Sequence, residues 1–345
     1  MNLITAEAAI VGAGPIGIEM AVALKKAGVN YLHFDARQIG YTISWFAPQT
    51  RFFSSNERIA IAGVPLQTWD QNKATREEYL AYLRRVVLQY ELKINTYEPV
   101  VGITRDADGF MLDTAPRGGA MKYRVKNIIF CTGGTDRARR LNVPGEDLPH
   151  VSHYFQDPHT YFQKRLLVVG GKNSAVEAAL RCYHAGANVS ISYRREQLNQ
   201  SSIKYWLLPE INGLVAANKI RGLFNTQPIE FTPSHVRFHK MDSSDTFEEP
   251  FDFVLLLTGY EADMSLLKKA NVQLRGDCEL PAYNESTMQT NIPGIYVAGC
   301  AVGGTQDKYS VFLENCHVHV PRIVAAIKGQ APPGVEAPEY LRPET

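Results

Sequence analysis

The stretch A-A-I-V-G-A-G-P-I-G-I-E-M-A, residues 8–21, decides the fold of this 345-residue chain. Four small or apolar residues, Ala8–Val11, read as a buried strand, and the glycines at 12, 14 and 17 read as a tight turn into a helix, Ile16–Ala27. A second strand runs over Tyr31–Phe34 and ends at Asp35. That is a β-α-β unit of about thirty residues, the size a right-handed crossover requires. In such a turn the first glycine permits the bend, and the second lets the backbone approach a pyrophosphate. The third lets helix pack on strand, and phosphates rest on the helix N-terminus. A lone G-x-G-x-x-G is a weak signal, but here the small residues continue through Ala21 and Gly28.

The same spacing recurs downstream. Gly170, Lys172, Ala175, Ala179 and Gly186 fall at the offsets of Gly12, Gly14, Gly17, Ala21 and Gly28, which predicts one helix-packing surface used twice. The second unit reads strand Arg165–Val169, turn Gly170-Gly171-Lys172-Asn173, helix Ser174–His184 and strand Val189–Tyr193. Lys172 replaces the middle glycine, which loosens the phosphate argument there without removing it. The residues just past each second strand separate the ligands. An acidic residue accepts from ribose hydroxyls, whereas arginine suits a 2′-phosphate. Asp35 therefore predicts FAD or NAD at the first turn. Arg194 and Arg195 offer bidentate donors to a phosphate dianion and predict NADP(H) at the second. Two nucleotide sites in one chain suggest electron transfer from NADPH to a flavin, chemistry that belongs to the cofactors.

Composition agrees with an ordinary globular enzyme: 45% hydrophobic and 21% charged, with a net charge of +1. That balance argues against nucleic acid or an anionic membrane as partner. No run approaches the roughly 18 apolar residues of a membrane span. The first apolar segment runs straight into the glycine turn, which predicts no secretory leader. Five cysteines, an odd number with no C-x-x-C, predict free thiols in a reducing cytoplasm. His153, His159, His317 and His319 lack metal-ligand spacing, so no metal site is expected.

Elsewhere, residues 36–75 read as loop, with Trp45, Phe52 and Phe53 either walling a flavin or covering the core. Ser54 and Ser55 are candidate donors to a flavin or pyrophosphate. A helix over Arg76–Tyr90 is expected behind a Thr75 N-cap. Residues 92–128 read as a β-meander, with further strands near 220–240 and 252–257. A final helix is expected from about Tyr309 to Lys328, its N-terminal dipole aimed at the flavin pyrimidine with Thr305 beside it. The Pro-rich tail is expected to be extended or disordered.

These residues together resemble the thioredoxin-reductase-like flavoproteins that bind two dinucleotides, over nearly the full length. The motifs are V-G-A-G-P-I-G with Asp35, I-I-F-C-T-G-G (128–134), V-V-G-G-K-N-S-A-V-E-A-A with Y-R-R, L-L-L-T-G-Y (255–260) and N-I-P-G-I-Y-V-A-G (291–299). Within that superfamily the chain is most similar to bacillithiol disulfide reductases, through T-R-F-F-S-S-N-E-R-I-A-I-A-G-V-P (50–65), V-S-H-Y-F (151–155) and I-K-Y-W-L-L-P-E (203–210). The resemblance implies an α/β fold of two Rossmann-like, three-layer ββα domains and a homodimer. FAD would sit on a discontinuous domain, 1–150 and 256–345, and NADPH on 151–255. The FAD residues implied are Gly12, Gly14, Gly17, Asp35, Thr132, Gly133 and Gly299, with Pro15 and Ala36 in the same segments. Those for NADPH are Gly170, Asn173, Ser174, Ala175, Arg194 and Arg195, with Gly171 beside them.

Three departures concern the acceptor. Thioredoxin reductases carry a C-x-x-C in the NADPH domain, and this chain has none. Bacillithiol disulfide reductases carry a cysteine in the first turn, G-x-G-P-C-G, where Ile16 stands here. The superfamily usually has Gly-Asp where this chain has Gly299-Cys300. Cys300 is therefore either a packing residue or a thiol near the flavin, and it is the one candidate catalytic side chain. Cys131 and Cys182 read as packing residues. The expected activity is reduction of a disulfide or other small acceptor by NADPH through FAD. Alternatives are a ferredoxin- or flavodoxin-NADP reductase, whose acceptor is a small redox protein, then a flavin monooxygenase or a non-enzymatic nucleotide sensor. The monooxygenase hallmark F-x-G-x-x-x-H is missing, with H-Y-F-Q-D-P-H standing there (153–159).

Overall fold

The computed structural model describes residues 3–198, 200–307 and 309–334. The chain divides into two compact units. One gathers residues up to 44, 49–137 and from 260 onward, and the other residues 45–48 and 138–259. The chain passes between them along a two-stranded ribbon, Arg137–Ala138 paired with Tyr260–Glu261. These crossings lie about a dozen residues before and four after the bounds read from the sequence, because the ribbon, not the flanking strands, carries the chain across.

In the first unit, strands Tyr31–Phe34, Ile4–Val11, Met121–Phe130 and Ile295–Val297 run parallel. Their ends are in register: Val11 pairs with Phe34 and Phe130, and Phe130 with Val297. The first half of the 121–130 strand also pairs with the antiparallel hairpin Val100–Asp106/Gly109–Thr114, the expected meander. Burial tracks position, since Ala8 to Val11 in the middle of the sheet are all buried while Ile4 is exposed. The opening helix, Pro15–Lys26, starts with proline at its first turn, where no amide is needed. It stops at Gly28, φ 71°, through Schellman bonds from Gly28 to Lys25 and from Val29 to Leu24. Helix Arg76–Gln89 has the expected Thr75 cap, completed by Glu78 as a capping box.

The second unit has a parallel sheet in the order 221–224, 188–193, 165–169, 253–256, 151–152. Strand alternation splits its core. Leu166, Val168 and Leu255 face helix Asn173–His184, whereas Leu167, Val169 and Leu256 face an antiparallel sheet of strands 226–231, 235–240 and 246–250. The three-layer ββα arrangement expected from the sequence is thus present. Gly186 ends its helix as Gly28 does, with φ 87° and bonds to Tyr183 and from Ala187 to Cys182. The last matching pair of small residues therefore caps helices rather than packing them.

The final helix departs from expectation. It is two pieces, Leu313–Cys316 and His319–Ile327, with a break at His317–Val318. Pro321 is the reason, since it has no N–H to reach the His317 carbonyl one turn back. The break turns His317 toward the opening helix, where Nδ1 lies 2.7 Å from Glu19 Oε2 and Nε2 lies 2.9 Å from the Arg58 carbonyl. The tail reading falls mostly on residues 335–345, outside the described residues.

A carbonyl and a carboxylate both accept, so His317 donates from both nitrogens and is cationic. Burial opposes that charge, but the hydrogen bond and charge of Glu19, with the Arg58 carbonyl, outweigh it and raise the pKa. A raised histidine stabilises the fold below its ordinary value of about 6.5 and loses that contribution as pH climbs through the raised one. Denaturation midpoints measured from pH 6 to 9 should fall more steeply for the wild type than for His317→Gln. Equal slopes would refute the cationic pair.

Candidate functional site

The residues singled out from sequence converge on the carboxyl edge of each parallel sheet. Beyond the in-register row of Val11, Phe34, Phe130 and Val297 come Gly12, Asp35, Cys131-Thr132-Gly133 and Ala298-Gly299. This edge is where open α/β sheets bind ligands. Gly12, at φ 108°, lies so close to the next strand that a Cβ would sit 2.4 Å from the Cys131 carbonyl oxygen. A Cβ on Gly17 would sit 2.0 Å from the Gly12 carbonyl oxygen. Around Gly14 the space is open, with nothing within 4 Å of where a Cβ would be. The three glycines thus divide the work as the motif predicts, and no side chain caps the helix amides behind Gly14.

Asp35 closes the turn from the neighbouring strand: Oδ2 accepts from the Ala13 amide at 2.6 Å and Oδ1 from the Arg37 amide at 2.7 Å. Burial raises its pKa against these hydrogen bonds. Ala36 beside it is exposed. Thr132 contributes a hydroxyl that is buried without a protein partner among the described residues, and Gly133 comes next at φ 83°. A buried, unpaired hydroxyl beside an open cradle fits a dinucleotide that would supply its partner. Ser54 is buried, and the Phe52 ring packs 4.5 Å from that of core Tyr79, so Phe52 covers the core. Trp45 belongs to the other unit, against Tyr154. Thr305 is occupied, its hydroxyl accepting from the Ala262 amide at 3.0 Å and its amide donating to the Cys278 carbonyl.

The second unit repeats the backbone of this construction. Gly170 has φ 144°, and a Cβ there would sit 2.5 Å from the Leu257 carbonyl oxygen, the counterpart of Cys131. The Gly12 amide bonds Phe34 at 2.8 Å and the Gly170 amide bonds Ser192 at 3.0 Å. Thr258-Gly259, with Gly259 at φ 107°, answers Thr132-Gly133. Lys172 adopts φ −117°, ψ −174° at the N-cap, matching the extended Gly14 at φ −75°, ψ −176°. Any L-residue adopts that conformation, which is why a side chain is tolerated at this middle position. Ala175 packs against Gly170, and Gly171 lies under the Tyr193 ring. Asn173 accepts from the Lys204 amide at 2.8 Å, while Ser174 is exposed. Arg194 and Arg195 are exposed just past the strand, and Arg195 lines a cleft of about 530 Å³ with Glu196, Gln197, Leu198 and Gln200.

The sequence profile of the pyridine nucleotide-disulphide oxidoreductases matches residues 9–299. The chain belongs to this family. Over 326 residues it is 34% identical to the bacilliredoxin reductase Bdr of Bacillus subtilis (strain 168), spanning 94% of this chain and 98% of that one. The solved bacillithiol disulfide reductase Bdr (YpdA) from Bacillus cereus superposes with a TM-score of 0.89 at 35% identity, covering 94% and 99%. A ferredoxin–NADP reductase of Ignicoccus hospitalis is 27% identical over 304 residues, covering 85% and 89%. The fold is thioredoxin-reductase-like, and the protein is an NAD(P)H-dependent FAD oxidoreductase that passes electrons to a disulfide or other acceptor. No helix is long and apolar enough to cross a membrane among the described residues.

The roles of two histidines of this oxidoreductase escaped sequence reading. His33 is fully buried, with Nε2 2.9 Å from the Gly12 carbonyl; that oxygen only accepts, so Nε2 carries the proton. Burial pushes its pKa down to about 4. His319 Nδ1 accepts from the Gly299 amide at 3.1 Å, and burial lowers it to about 4 as well. Both are neutral clamps on glycines of the site, and nothing in their sequence context signals it. Cys131 and Cys182 are buried with thiols pushed up to about 12 by burial, as befits packing residues.

The two glycine contacts make opposite demands. Gly17→Ala drives a methyl into backbone and should cost at least about 1–3 kcal/mol of apoprotein stability. Gly14→Val fills open space and should cost under about 1 kcal/mol, yet leave the purified protein with little flavin. Thermal melts of apoprotein with flavin stoichiometry by absorbance check both. Full flavin occupancy in Gly14→Val would contradict the cradle.

Proposed function

We propose that the unit carrying Gly12 holds FAD, that the unit carrying Gly170 holds NADPH, and that the acceptor is a disulfide. The observation that carries this reading is the duplication itself: two turns of matching geometry, one succeeded by a carboxylate and the other by two guanidiniums. In the first, the uncapped amides of Ile16 and Gly17 would receive the pyrophosphate across the open face of Gly14, with Pro15 aligning the turn. Asp35 would accept from a ribose hydroxyl, with Ala36 leaving room beside it. Thr132, Gly133, Gly299 and Ser54 would complete the FAD site, and His33 and His319 hold the Gly12 and Gly299 peptides in place. Thr305 would fix the 262 and 278 segments at its border.

In the second unit Gly170, Gly171, Asn173, Ser174 and Ala175 would shape the pyrophosphate turn. The ammonium of Lys172 stands where a glycine would leave only backbone, and supplies a cation to the phosphates. Arg194 and Arg195 would grip the 2′-phosphate. Bound FAD supplies the two-electron carrier between nicotinamide and acceptor. The disulfide acceptor rests on the similarity to the two Bdr proteins. A second reading, electron transfer to a ferredoxin, is favoured by Ile16 in the first turn and by the Ignicoccus relative. All five cysteines are free, which supports a reducing cytosol, and the resemblance extends to a homodimer.

Anaerobic NADPH should bleach the flavin band near about 450 nm, and added small disulfide should restore it. Failure to bleach would sink the reductase reading, and rapid turnover with ferredoxin but none with disulfides would favour the second. A charge-assisted hydrogen bond is worth about 1.5–3 kcal/mol. Arg194→Gln with Arg195→Gln should therefore raise KM for NADPH roughly ten- to hundredfold and leave NADH unaffected. An unchanged preference would remove both arginines from the site.

A further inference from the structure

Where the parallel sheet of the second unit gives way to its antiparallel sheet, Phe224, Asn225 and Thr226 hold the strand end that leads into Arg194 and Arg195. Phe224 pairs with Tyr193. The buried hydroxyl of Thr226 donates to the Leu223 carbonyl at 2.7 Å, so it accepts from the buried Ser192 hydroxyl 2.9 Å away. Between them Asn225 adopts φ 53°, the left-handed region. In that conformation its amide donates to the Arg195 carbonyl at 3.0 Å, and its own carbonyl accepts from the Met241 amide at 2.8 Å. Met241 directly follows strand His235–Lys240, and Lys240 pairs with Thr226. One residue thus ties the Arg195 peptide to the antiparallel sheet.

We propose that Asn225 is a positioning residue for the choice of NADP(H) over NAD(H). Its left-handed turn fixes the backbone of Arg195, so that the guanidinium is presented to the 2′-phosphate from a held peptide. The inference rests on the reading of Arg194 and Arg195 above. Both arginines are exposed just past the strand. An exposed arginine loses side-chain entropy when a ligand fixes it, and a backbone already in place leaves less to be ordered on binding. Asparagine suits the turn, because it enters the left-handed region more readily than other residues that carry a Cβ, whereas a β-branched residue resists it. A valine there would turn the amide away from the Arg195 carbonyl and release the arginine-bearing segment. NAD(H) carries no phosphate on the ribose 2′ position, so its binding should not depend on this tie.

The test measures the Kd of NADP⁺ by calorimetry on the holoprotein, together with the NADH concentration that half-saturates anaerobic flavin bleaching. Asn225→Val should weaken NADP⁺ roughly three- to tenfold, within the worth of one charge-assisted hydrogen bond, and leave the NADH value where it was. Asn225→Gly should restore wild-type affinity, since glycine takes the same φ without a Cβ. Should the valine variant fail to fold, Asn225→Ala carries the same expectation. Unchanged NADP⁺ affinity would overturn the proposal. So would an NADH value that shifts in parallel, which marks general damage to the unit, or a glycine variant as weak as the valine one. Arg194→Gln with Arg195→Gln keeps the two readings apart. If that variant loses NADP⁺ affinity while Asn225→Val retains it, the positioning role alone falls. If it retains NADP⁺ affinity, the arginine reading falls and this inference with it.

Discussion

Everything at the first site depends on one close approach, the Gly17 Cα lying so near the Gly12 carbonyl that a methyl would come within 2.0 Å of its oxygen. This contact sets the opening helix down on the sheet edge and leaves its first amides uncapped beside the open face of Gly14. Other interactions hold the Gly12 peptide for it: the Phe34 carbonyl takes its amide, and His33 donates to its carbonyl. Asp35 binds the next amide, that of Ala13, so the strand that ends in the carboxylate proposed to bind ribose also fixes the turn. Position and chemistry are inseparable there.

The duplication makes the constraint visible. At the second turn the cross-strand amide bond recurs, Gly170 to Ser192 as Gly12 to Phe34, and Ala175 replaces the third glycine with its methyl 2.9 Å from where a Gly170 Cβ would lie. The middle position is extended in both turns, so glycine is not conformationally required there. Glycine at 14 leaves room for close backbone approach, whereas lysine at 172 exchanges that room for a charge. On the proposed reading, different nucleotides are served by one backbone, with the discrimination placed at the strand ends, Asp35 against Arg194 and Arg195.

Much of this was legible from local pattern. The strands 31–34 and 165–169 have the bounds the sequence suggested, and Thr75 caps the helix it was expected to cap. These features rest on neighbours within a turn or two. The break in the final helix was written in Pro321, yet the apolar periodicity on either side of it hides the interruption. The roles of His33 and His319 were not legible, because each acts on a glycine 20 or 21 positions away across the sheet. Burial in that place, not residue type, makes them neutral clamps.

Local pattern was enough for the two β-α-β units, the identity of the turn residues and the opposite charges after their second strands, since periodicity, glycine and charge act over a few residues. Which distant residues meet was a matter for the folded chain. Folding aligned the strand ends into one row, left the Thr132 hydroxyl buried without a protein partner among the described residues, and brought His319 to the Gly299 amide across 20 positions that no spacing rule connects. Such encounters arise from how helices and strands pack, and packing depends on the whole unit. Ile16 puts a hydrocarbon side chain in the opening turn, and the folded chain sets Gly299 against it.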